Sequence, residues 1–243
     1  MGSEALNRGQ VCRGGHDAGV NDIEMEVLPD PAALAGRAAD LVSARLAAAI
    51  EARGLATLAV SGGSTPKAFL AELAERKLPW DRLHLFQVDE RVAPLGPERN
   101  LTGLQEALLE RVPIPAGNVH SMPVDEADLQ AAARVYGNEL PPRLDVVHLG
   151  VGDDGHTASW PPGDPVVDAT DDVAVVGPFN GRLRMTLTPP AVNRAGWIVW
   201  LIAGQSKAPA VGGLLAGDPA LPASRVRRHD VTLLADTAAA GNQ

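Results

Sequence analysis

Residues 144–159 read Leu-Asp-Val-Val-His-Leu-Gly-Val-Gly-Asp-Asp-Gly-His-Thr-Ala-Ser, and this stretch is the most informative part of the chain. Its apolar first half predicts a buried strand, and the glycines that follow predict a tight turn at the carboxyl end of that strand. The turn presents His156 directly after Asp153 and Asp154. Open α/β proteins place their chemistry at such strand ends. His156 is therefore a candidate proton acceptor near neutral pH, unless it merely closes the turn.

The same turn matches the spacing of a dinucleotide-binding fingerprint, with glycines at 150, 152 and 155. That fingerprint requires the third glycine to lead into a helix packed on the sheet. Here Pro161 and Pro162 follow soon after the turn and remove backbone donors. We therefore expect no nicotinamide cofactor.

Strands and helices alternate on both sides of this stretch. Asp30 before Pro31 predicts the start of a helix that ends at Gly54. Further helices are predicted from Pro66 to Arg76, near 101–112, near 126–139 and after Lys207. Strands are predicted at 55–60, 83–88, around 119, and at 144–149, 172–176, 183–188, 197–202 and 231–234. This alternation predicts an α/β fold with a largely parallel, doubly wound sheet and helices on both faces.

Composition bounds the class of protein. The 243 residues carry 21 basic and 30 acidic side chains, a net charge of −9, and only 3% are aromatic. Both values disfavour a nucleic-acid partner. The single cysteine, Cys12, excludes a disulfide framework, and no apolar run reaches the roughly twenty residues of a membrane helix. We expect a cytoplasmic protein, monomeric or a small homo-oligomer, with a disordered leader at 1–24 and one domain at 25–240.

The candidate motifs share a position. The loops at Ser61, Asp89, Gly150 and Gly204 each follow an apolar strand directly. Carboxyl ends of parallel strands meet at one edge of a sheet, so these loops are expected to converge on one site.

The turn Ser61–Pro66 joins a strand to a helix. Its glycines, Gly62 and Gly63, let the backbone approach a ligand, and free amides at a helix start attract anions. The structural alternative is a turn in which Ser64 or Thr65 caps the helix. Both interpretations are compatible with the sequence.

Two cations are predicted to lie beside the same edge. Lys207 follows the 197–202 strand, and Arg184 alternates with Arg182 along another strand. In an acidic chain this position favours contacts to a phosphate, although solvated surface cations are the common alternative.

The segment Asp89-Glu90-Arg91 ends a predicted strand, and Asn100 begins the next helix. Asp89 is a candidate to orient an imidazole or a sugar hydroxyl, and Arg91 a candidate to pair with an anionic oxygen. A local ion pair and a helix cap are the alternatives for Glu90 and Asn100.

Several catalytic motifs do not occur in this sequence. It lacks a Gly-x-Ser-x-Gly elbow, a His-Glu-x-x-His helix and a cysteine pair. His84 and His148 lie within predicted strands and are expected to be structural. The implied chemistry is attack by water with a histidine base, without a covalent intermediate, a metal or another cofactor.

Taken together, these motifs resemble the 6-phosphogluconolactonase family over residues 25–240. The motifs that carry the resemblance are Ser61-Gly-Gly-Ser-Thr-Pro66, Asp89-Glu-Arg91, Leu149-Gly-Val-Gly-Asp-Asp-Gly-His-Thr-Ala-Ser159, Arg184-Met-Thr-Leu-Thr188 and Gly204-Gln-Ser-Lys207. The resemblance implies hydrolysis of 6-phospho-D-glucono-1,5-lactone. It further implies that His156 is the base and that Arg184, Lys207 and the Ser61–Thr65 turn hold the phosphate. Either Asp154 or Asp89 would orient the imidazole.

Two other functions are compatible with the same fold. Glucosamine-6-phosphate deaminases are the nearest competitor, but their turn and acidic strand end typically continue differently from Thr157-Ala-Ser-Trp160 and Asp89-Glu-Arg91. A catalytically silent sugar-phosphate sensor is the second alternative. Trp160-Pro161 and Arg99 also depart from the lactonase pattern, and we expect these departures to affect substrate fit rather than the reaction.

Overall fold

The computed structural model describes residues 23–241. Most of the predicted leader, including Cys12, lies outside the described residues. The strands are β1 (Glu24–Leu28), β2 (Ala56–Val60), β3 (Leu83–Gln87), β4 (Asp89–Arg91), β5 (Val119–His120), β6 (Val146–Leu149), β7 (Val173–Phe179), β8 (Arg182–Leu187), β9 (Trp197–Ile202) and β10 (Val231–Asp236). The α-helices are α1 (Pro31–Arg53), α2 (Ser64–Ala74), α3 (Asn100–Leu104), α4 (Leu129–Glu139), α5 (Pro189–Asn193), α6 (Ala208–Ala216) and α7 (Thr237–Ala240).

Seven of these strands form one parallel sheet in the order β1-β10-β9-β6-β2-β3-β5. Side chains along β9 alternate between the two faces: Ile198, Trp200 and Ile202 join one hydrophobic cluster, and Val199 and Leu201 join the other. The first cluster includes α4 and α6, and the second includes α1 and α2. The predicted α/β architecture with a largely parallel sheet is confirmed.

The ends of α1 follow the sequence signals. The Asp30 side chain accepts a hydrogen bond from the backbone N–H of Ala33 at 2.8 Å. At the other end Gly54 has a φ of 82°, and its N–H donates to the carbonyl of Ile50. Both caps satisfy backbone groups that a helix leaves unpaired. No helix in the part of the chain described here combines the length and apolarity needed to cross a membrane.

A second, antiparallel sheet has the order β4-β8-β7. The sequence predicted a loop at Asp89–Arg91, and that prediction was wrong, because these residues form β4. Asp89 pairs with Thr186 and Arg91 with Arg184, which lies on β8. The chain thus passes from the parallel sheet into the second sheet at Val88. This crossing brings β8 to the carboxyl edge of the large sheet.

Candidate active site

The carboxyl ends of β2, β3, β6 and β9 surround a pocket of about 220 Å³. All the predicted site residues except Asp154 line it, namely Gly62, Gly63, Ser64, Thr65, Asp89, Arg91, Asn100, His156, Arg184 and Lys207. Arg182 does not line the pocket. It is exposed and pairs with Glu98 at 2.6 Å, as a solvated surface cation does. The structure therefore brings the loops together, with Arg184 supplied by the second sheet.

A glycine turn presents His156 to the pocket. The N–H of Gly152 donates to the carbonyl of His156 at 2.8 Å, and that of Gly155 donates to the carbonyl of Gly152. A Cβ at Gly152 would lie 2.0 Å from Nδ1 of His156, and Gly155 has a φ of +82°. The turn runs into a Thr157–Trp160 bridge rather than a helix, unlike a dinucleotide-binding turn.

Asp154 holds the imidazole in place. Its Oδ1 lies 2.5 Å from Nδ1 of His156 and also accepts the backbone N–H of His156 at 3.1 Å. Burial alone would raise the pKa of Asp154, but these hydrogen bonds from His156 outweigh it and lower that pKa. An ionised Asp154 favours the tautomer with a proton on Nδ1, which leaves Nε2 as the proton acceptor.

Asp89 makes contacts of a different kind. It is buried, and its Oδ2 accepts a hydrogen bond from Ser159 Oγ at 2.7 Å and lies 3.9 Å from a terminal nitrogen of Arg184. Its Oδ1 accepts from the side chain of Asn100 at 3.3 Å. Burial raises the pKa of Asp89, against the opposing effects of Ser159 and Arg184. Of the two carboxylates left open by the sequence, Asp154 is therefore the one that contacts the imidazole.

Phe179 is a site residue that the sequence analysis missed. Its ring meets His156 edge to face, with centroids 5.0 Å apart, and the guanidinium of Arg184 lies 5.3 Å over the same ring. The backbone carbonyl of Phe179 also accepts from Arg184 at 3.3 Å. One aromatic side chain thus contacts both the imidazole and a cation of the pocket.

Lys207 is held at the pocket by the turn that carries His156. Its Nζ lies 2.5 Å from Oδ1 of Asp153, and the Ser206 hydroxyl donates to the same oxygen at 3.1 Å. Hydrogen bonds from Lys207 and Ser206 lower the pKa of Asp153. The sequence singled out Asp153 beside His156 but did not predict its pairing with Lys207, which comes from a segment more than fifty residues away.

The start of α2 faces the pocket without a side-chain cap. The residue before the helix is Gly63, with a φ of +122°, and no side chain there accepts a backbone N–H. The alternative that Ser64 or Thr65 caps the helix was wrong, because both lie within its first turn. The first amides of α2 are thus available to an anion.

Gly62 has a different steric requirement. A Cβ at this position would lie 2.1 Å from Oδ1 of Asn100, so a larger residue must displace Asn100. Asn100 is tied to Asp89, donating to its backbone carbonyl at 3.0 Å and to its carboxylate. The position of Asn100 therefore requires a glycine at residue 62.

Glu90 is structural. Its buried carboxylate accepts the backbone N–H groups of Asn100 and Leu101 at 2.7 and 2.8 Å, and so caps α3. It lies 3.2 Å from Nε of Arg99, which is also buried. The expected ion pair of Glu90 is present, with Arg99 as its partner. The expected helix cap at Asn100 was wrong, because Asn100 is the first residue of α3 and its side chain donates to Asp89 instead.

The two departures from the lactonase pattern lie outside the pocket lining. Arg99 is buried against Glu90, and Trp160 is fully buried and donates from its indole to the carbonyl of Leu187 at 2.7 Å. Both side chains are therefore used in packing.

His148 lies behind the Ser61 turn. The Ser61 N–H donates to Nδ1 of His148 at 3.3 Å, and the Ser61 hydroxyl donates to its carbonyl. Burial lowers the pKa of His148 to about 3, so the ring is neutral at physiological pH. Its place inside β6 fits the structural role expected from sequence. Within residues 23–241, no group of three or more His, Cys, Asp and Glu side chains is arranged to hold a metal ion.

Comparison with known proteins identifies similar chains. The family model described as glucosamine-6-phosphate isomerases/6-phosphogluconolactonase matches residues 29–235. A 6-phosphogluconolactonase of Nostoc sp. is 39% identical over 231 residues, covering 89% of this chain and 96% of that protein. A crystal structure of 6-phosphogluconolactonase from Thermotoga maritima has a TM-score of 0.81 at 29% identity, covering 87% of this chain and 98% of that one.

A monomeric glucosamine-6-phosphate deaminase also has a TM-score of 0.81, at 22% identity, covering 90% of this chain and 99% of that one. At this identity the likeness shows the fold alone. It does not distinguish a lactonase from a deaminase.

Proposed function

Because the chain belongs to the glucosamine-6-phosphate isomerase/6-phosphogluconolactonase family, we propose that it hydrolyses 6-phospho-D-glucono-1,5-lactone to 6-phosphogluconate with His156 as the general base. Lactonase relatives at about 40% identity support the reaction. The observation that supports the base is the 2.5 Å contact between Asp154 and Nδ1 of His156, at the wall of a pocket that also contains Arg184 and Lys207.

The reaction begins with the attack of water on the lactone carbonyl carbon. As the new carbon–oxygen bond forms, Nε2 of His156 takes one proton from the water, and the negative charge of Asp154 stabilises the resulting imidazolium. The tetrahedral intermediate then collapses and breaks the bond between the carbonyl carbon and the ring oxygen. That oxygen takes the proton back from His156 and becomes a hydroxyl of the product. No covalent enzyme intermediate is needed.

The substrate phosphate is the group that we assign to the cationic side of the pocket. Arg184 presents a planar set of hydrogen-bond donors, and Lys207 presents a compact positive charge. The turn Gly62–Thr65 contributes the free backbone amides at the start of α2. Arg91 and Asn100 line the same space and are proposed to contact substrate oxygens. Asp89 is proposed to position the side chains of Arg184 and Asn100 relative to each other, since it contacts both.

A direct assay separates the candidate functions. Purified protein should accelerate the loss of 6-phosphogluconolactone above its spontaneous hydrolysis, and glucosamine 6-phosphate should release no ammonia. Release of ammonia at a comparable rate would establish the deaminase instead. Binding of the lactone without turnover would establish the silent sensor.

The same assay tests the expectation that no metal or nicotinamide is required. The proton transfers assigned above use His156 alone, and Asp154 stabilises its charged form. Full activity is therefore expected after exhaustive chelation and without added nucleotide. Loss of activity that a divalent ion restores would contradict this part of the proposal.

We also propose a cytoplasmic location, which the single cysteine favours, and a monomer or small homo-oligomer. Fractionation of the source cells tests the location. Light scattering coupled to gel filtration tests the assembly.

A further inference from the structure

A second cavity, a groove of about 570 Å³, lies at the opposite edge of the parallel sheet. Asp145 and Gly196 line it, immediately before β6 and β9, and Arg53 lines it at the end of α1 just before β2. The catalytic pocket lies at the carboxyl ends of these same strands. A six-residue strand spans roughly 20 Å, so the two cavities are separate.

The groove is cationic although the chain as a whole is acidic. Arg45, Arg53 and Arg143 line it, and Asp145 is the one acidic residue in its lining. Asp145 forms an ion pair with Arg53 and also accepts the backbone N–H and the hydroxyl of Thr57. Its charge is therefore used, and no other carboxylate lines the groove beside Arg45 and Arg143. Asp230 lies outside the lining; a hydrogen bond from His229 lowers the pKa of Asp230, and Arg143 contributes to the same shift.

Packing positions these two guanidinium groups. Arg45 lies over the indole ring of the buried Trp197, 4.8 Å from the ring centroid. Arg143 lies against Gly196, where a Cβ would come within 3.3 Å of a terminal nitrogen of Arg143. Among residues 23–241, neither Arg45 nor Arg143 has a carboxylate partner within ion-pair distance. A cation held over an aromatic ring or against backbone keeps its hydrogen-bonding edge for another ligand.

A neighbouring arginine adds to the positive charge. Arg227 donates to the carbonyl of Gly196 at 3.4 Å, next to Arg143. Burial lowers the pKa of Arg227, and Arg143 lowers it further, against the opposite effect of Asp230. Like charges held this close raise the electrostatic potential in which an anion would sit.

We infer that this groove is a binding site for a small, multiply charged phosphoanion, held by the guanidinium groups of Arg45 and Arg143. Arginine forks match phosphate oxygens in bidentate geometry, and two of them suit a ligand with two anionic centres. The remaining lining is small and aliphatic: Ala48, Ala49, Pro142 and Val146. It contains no aromatic face on which a base would stack, since Trp197 lies beneath Arg45. The ligand class is therefore a polyphosphate or a bisphosphorylated metabolite rather than a nucleotide.

The test is calorimetric titration of the full-length protein with inorganic pyrophosphate at constant ionic strength. The double variant Arg45→Gln/Arg143→Gln should weaken the groove-specific affinity at least about tenfold, because glutamine cannot make charge-assisted bonds to phosphate oxygens. Arg134→Gln/Arg82→Gln is the matched control. It removes two exposed charges that line neither the groove nor the catalytic pocket, and it should change the affinity less than twofold.

Amide resonances locate the binding, because pyrophosphate can also enter the catalytic pocket. Titration should shift the amides of Gly196 and Asp145 in the wild type and in Lys207→Ala, but not in the double variant. Shifts confined to Gly62 and Gly63 would overturn the proposal, as would equal weakening by the control. Failure of the lactonase assay would leave this result unaffected, so the two proposals stand or fall separately.

Discussion

Nδ1 of His156 lies 2.5 Å from a carboxylate oxygen of Asp154, two residues earlier in the same turn. One glycine-rich loop therefore supplies both the proposed proton acceptor and the group that orients it. In many acid–base sites the two come from distant segments. Here the geometry of the pair depends on the turn, and Gly152 and Gly155 allow that turn to form.

Replacing His156 by asparagine should lower kcat by at least about 100-fold, because a positioned imidazole contributes roughly 10²–10⁴-fold to such a step. The product, 6-phosphogluconate, should still bind, since the phosphate contacts remain. Steady-state kinetics and product titration measure the two effects. His229→Asn, an exposed histidine, is the control and should retain full activity. A folded His156→Asn enzyme with most of its kcat would make Asp89 the next candidate base.

Replacing Asp154 by asparagine should lower kcat about tenfold or more, because the amide cannot balance the charge of an imidazolium. Steady-state kinetics measure this decrease. Asp230→Asn, which alters an exposed carboxylate beside His229, is the control. An unchanged kcat in Asp154→Asn would assign Asp154 to folding alone.

The two cations should respond differently to removal. Lys207→Ala should raise KM about 10- to 100-fold and leave the free energy of unfolding nearly unchanged, since its partner Asp153 is exposed. Arg184→Ala should raise KM similarly and also destabilise the fold, because the buried Asp89 loses its nearby positive charge. Lys67→Ala is a surface control. Equal turnover of unphosphorylated gluconolactone would refute both assignments.

Gly62→Ala should impair substrate binding by displacing Asn100. The new Cβ would lie 2.1 Å from Oδ1 of Asn100, and loss of the Asn100 hydrogen bonds to Asp89 should raise KM about tenfold. On an Asn100→Ala background the same substitution should add little. Gly36→Ala, in open space on α1, is the control. Additive effects of the two substitutions would contradict the proposed coupling.

The neutral His148 should make stability depend on pH. Its pKa is about 3 in the folded protein and near 6.5 in an unfolded chain. Between these values the unfolded state binds one more proton. The free energy of unfolding should therefore fall by about 1.4 kcal/mol per unit as pH drops through this window.

Urea denaturation at pH 6, 5 and 4 measures the dependence. In His148→Gln the free energy of unfolding should depend on pH less steeply than in wild type, by the slope that one proton contributes. His229→Gln should keep the wild-type slope. Identical slopes in all three proteins would show that His148 is protonated in the folded state.

Local signals accounted for most of the fold. The cap at Asp30, the stop at Gly54 and the apolar run before Gly150 each act within a few residues, so a single sequence contains them. The sequence could not show that Asp89–Arg91 would pair with β8, because that pairing joins residues more than ninety positions apart.

The candidate site also has a part that the sequence predicted and a part that it did not. Convergence of the loops followed from the strand pattern, as did the placement of His156 at a strand end. The contact of Phe179 with His156 and the Asp153–Lys207 pair did not, because each joins residues more than twenty positions apart. The burial of Arg99 was also hidden, because the sequence pattern does not show that the chain folds back to place Arg99 against Glu90.

The ion pair between Asp153 and Lys207 sets a threshold for what can occupy this side of the pocket. A ligand that reaches Lys207 must compete with the carboxylate of Asp153. The binding free energy that it gains from Lys207 is therefore the difference between two ion pairs. A dianionic phosphate carries more negative charge than the Asp153 carboxylate, whereas a ligand carboxylate carries the same charge. If Lys207 holds the substrate phosphate as proposed, this competition would make the pocket select sugars by the charge that they carry.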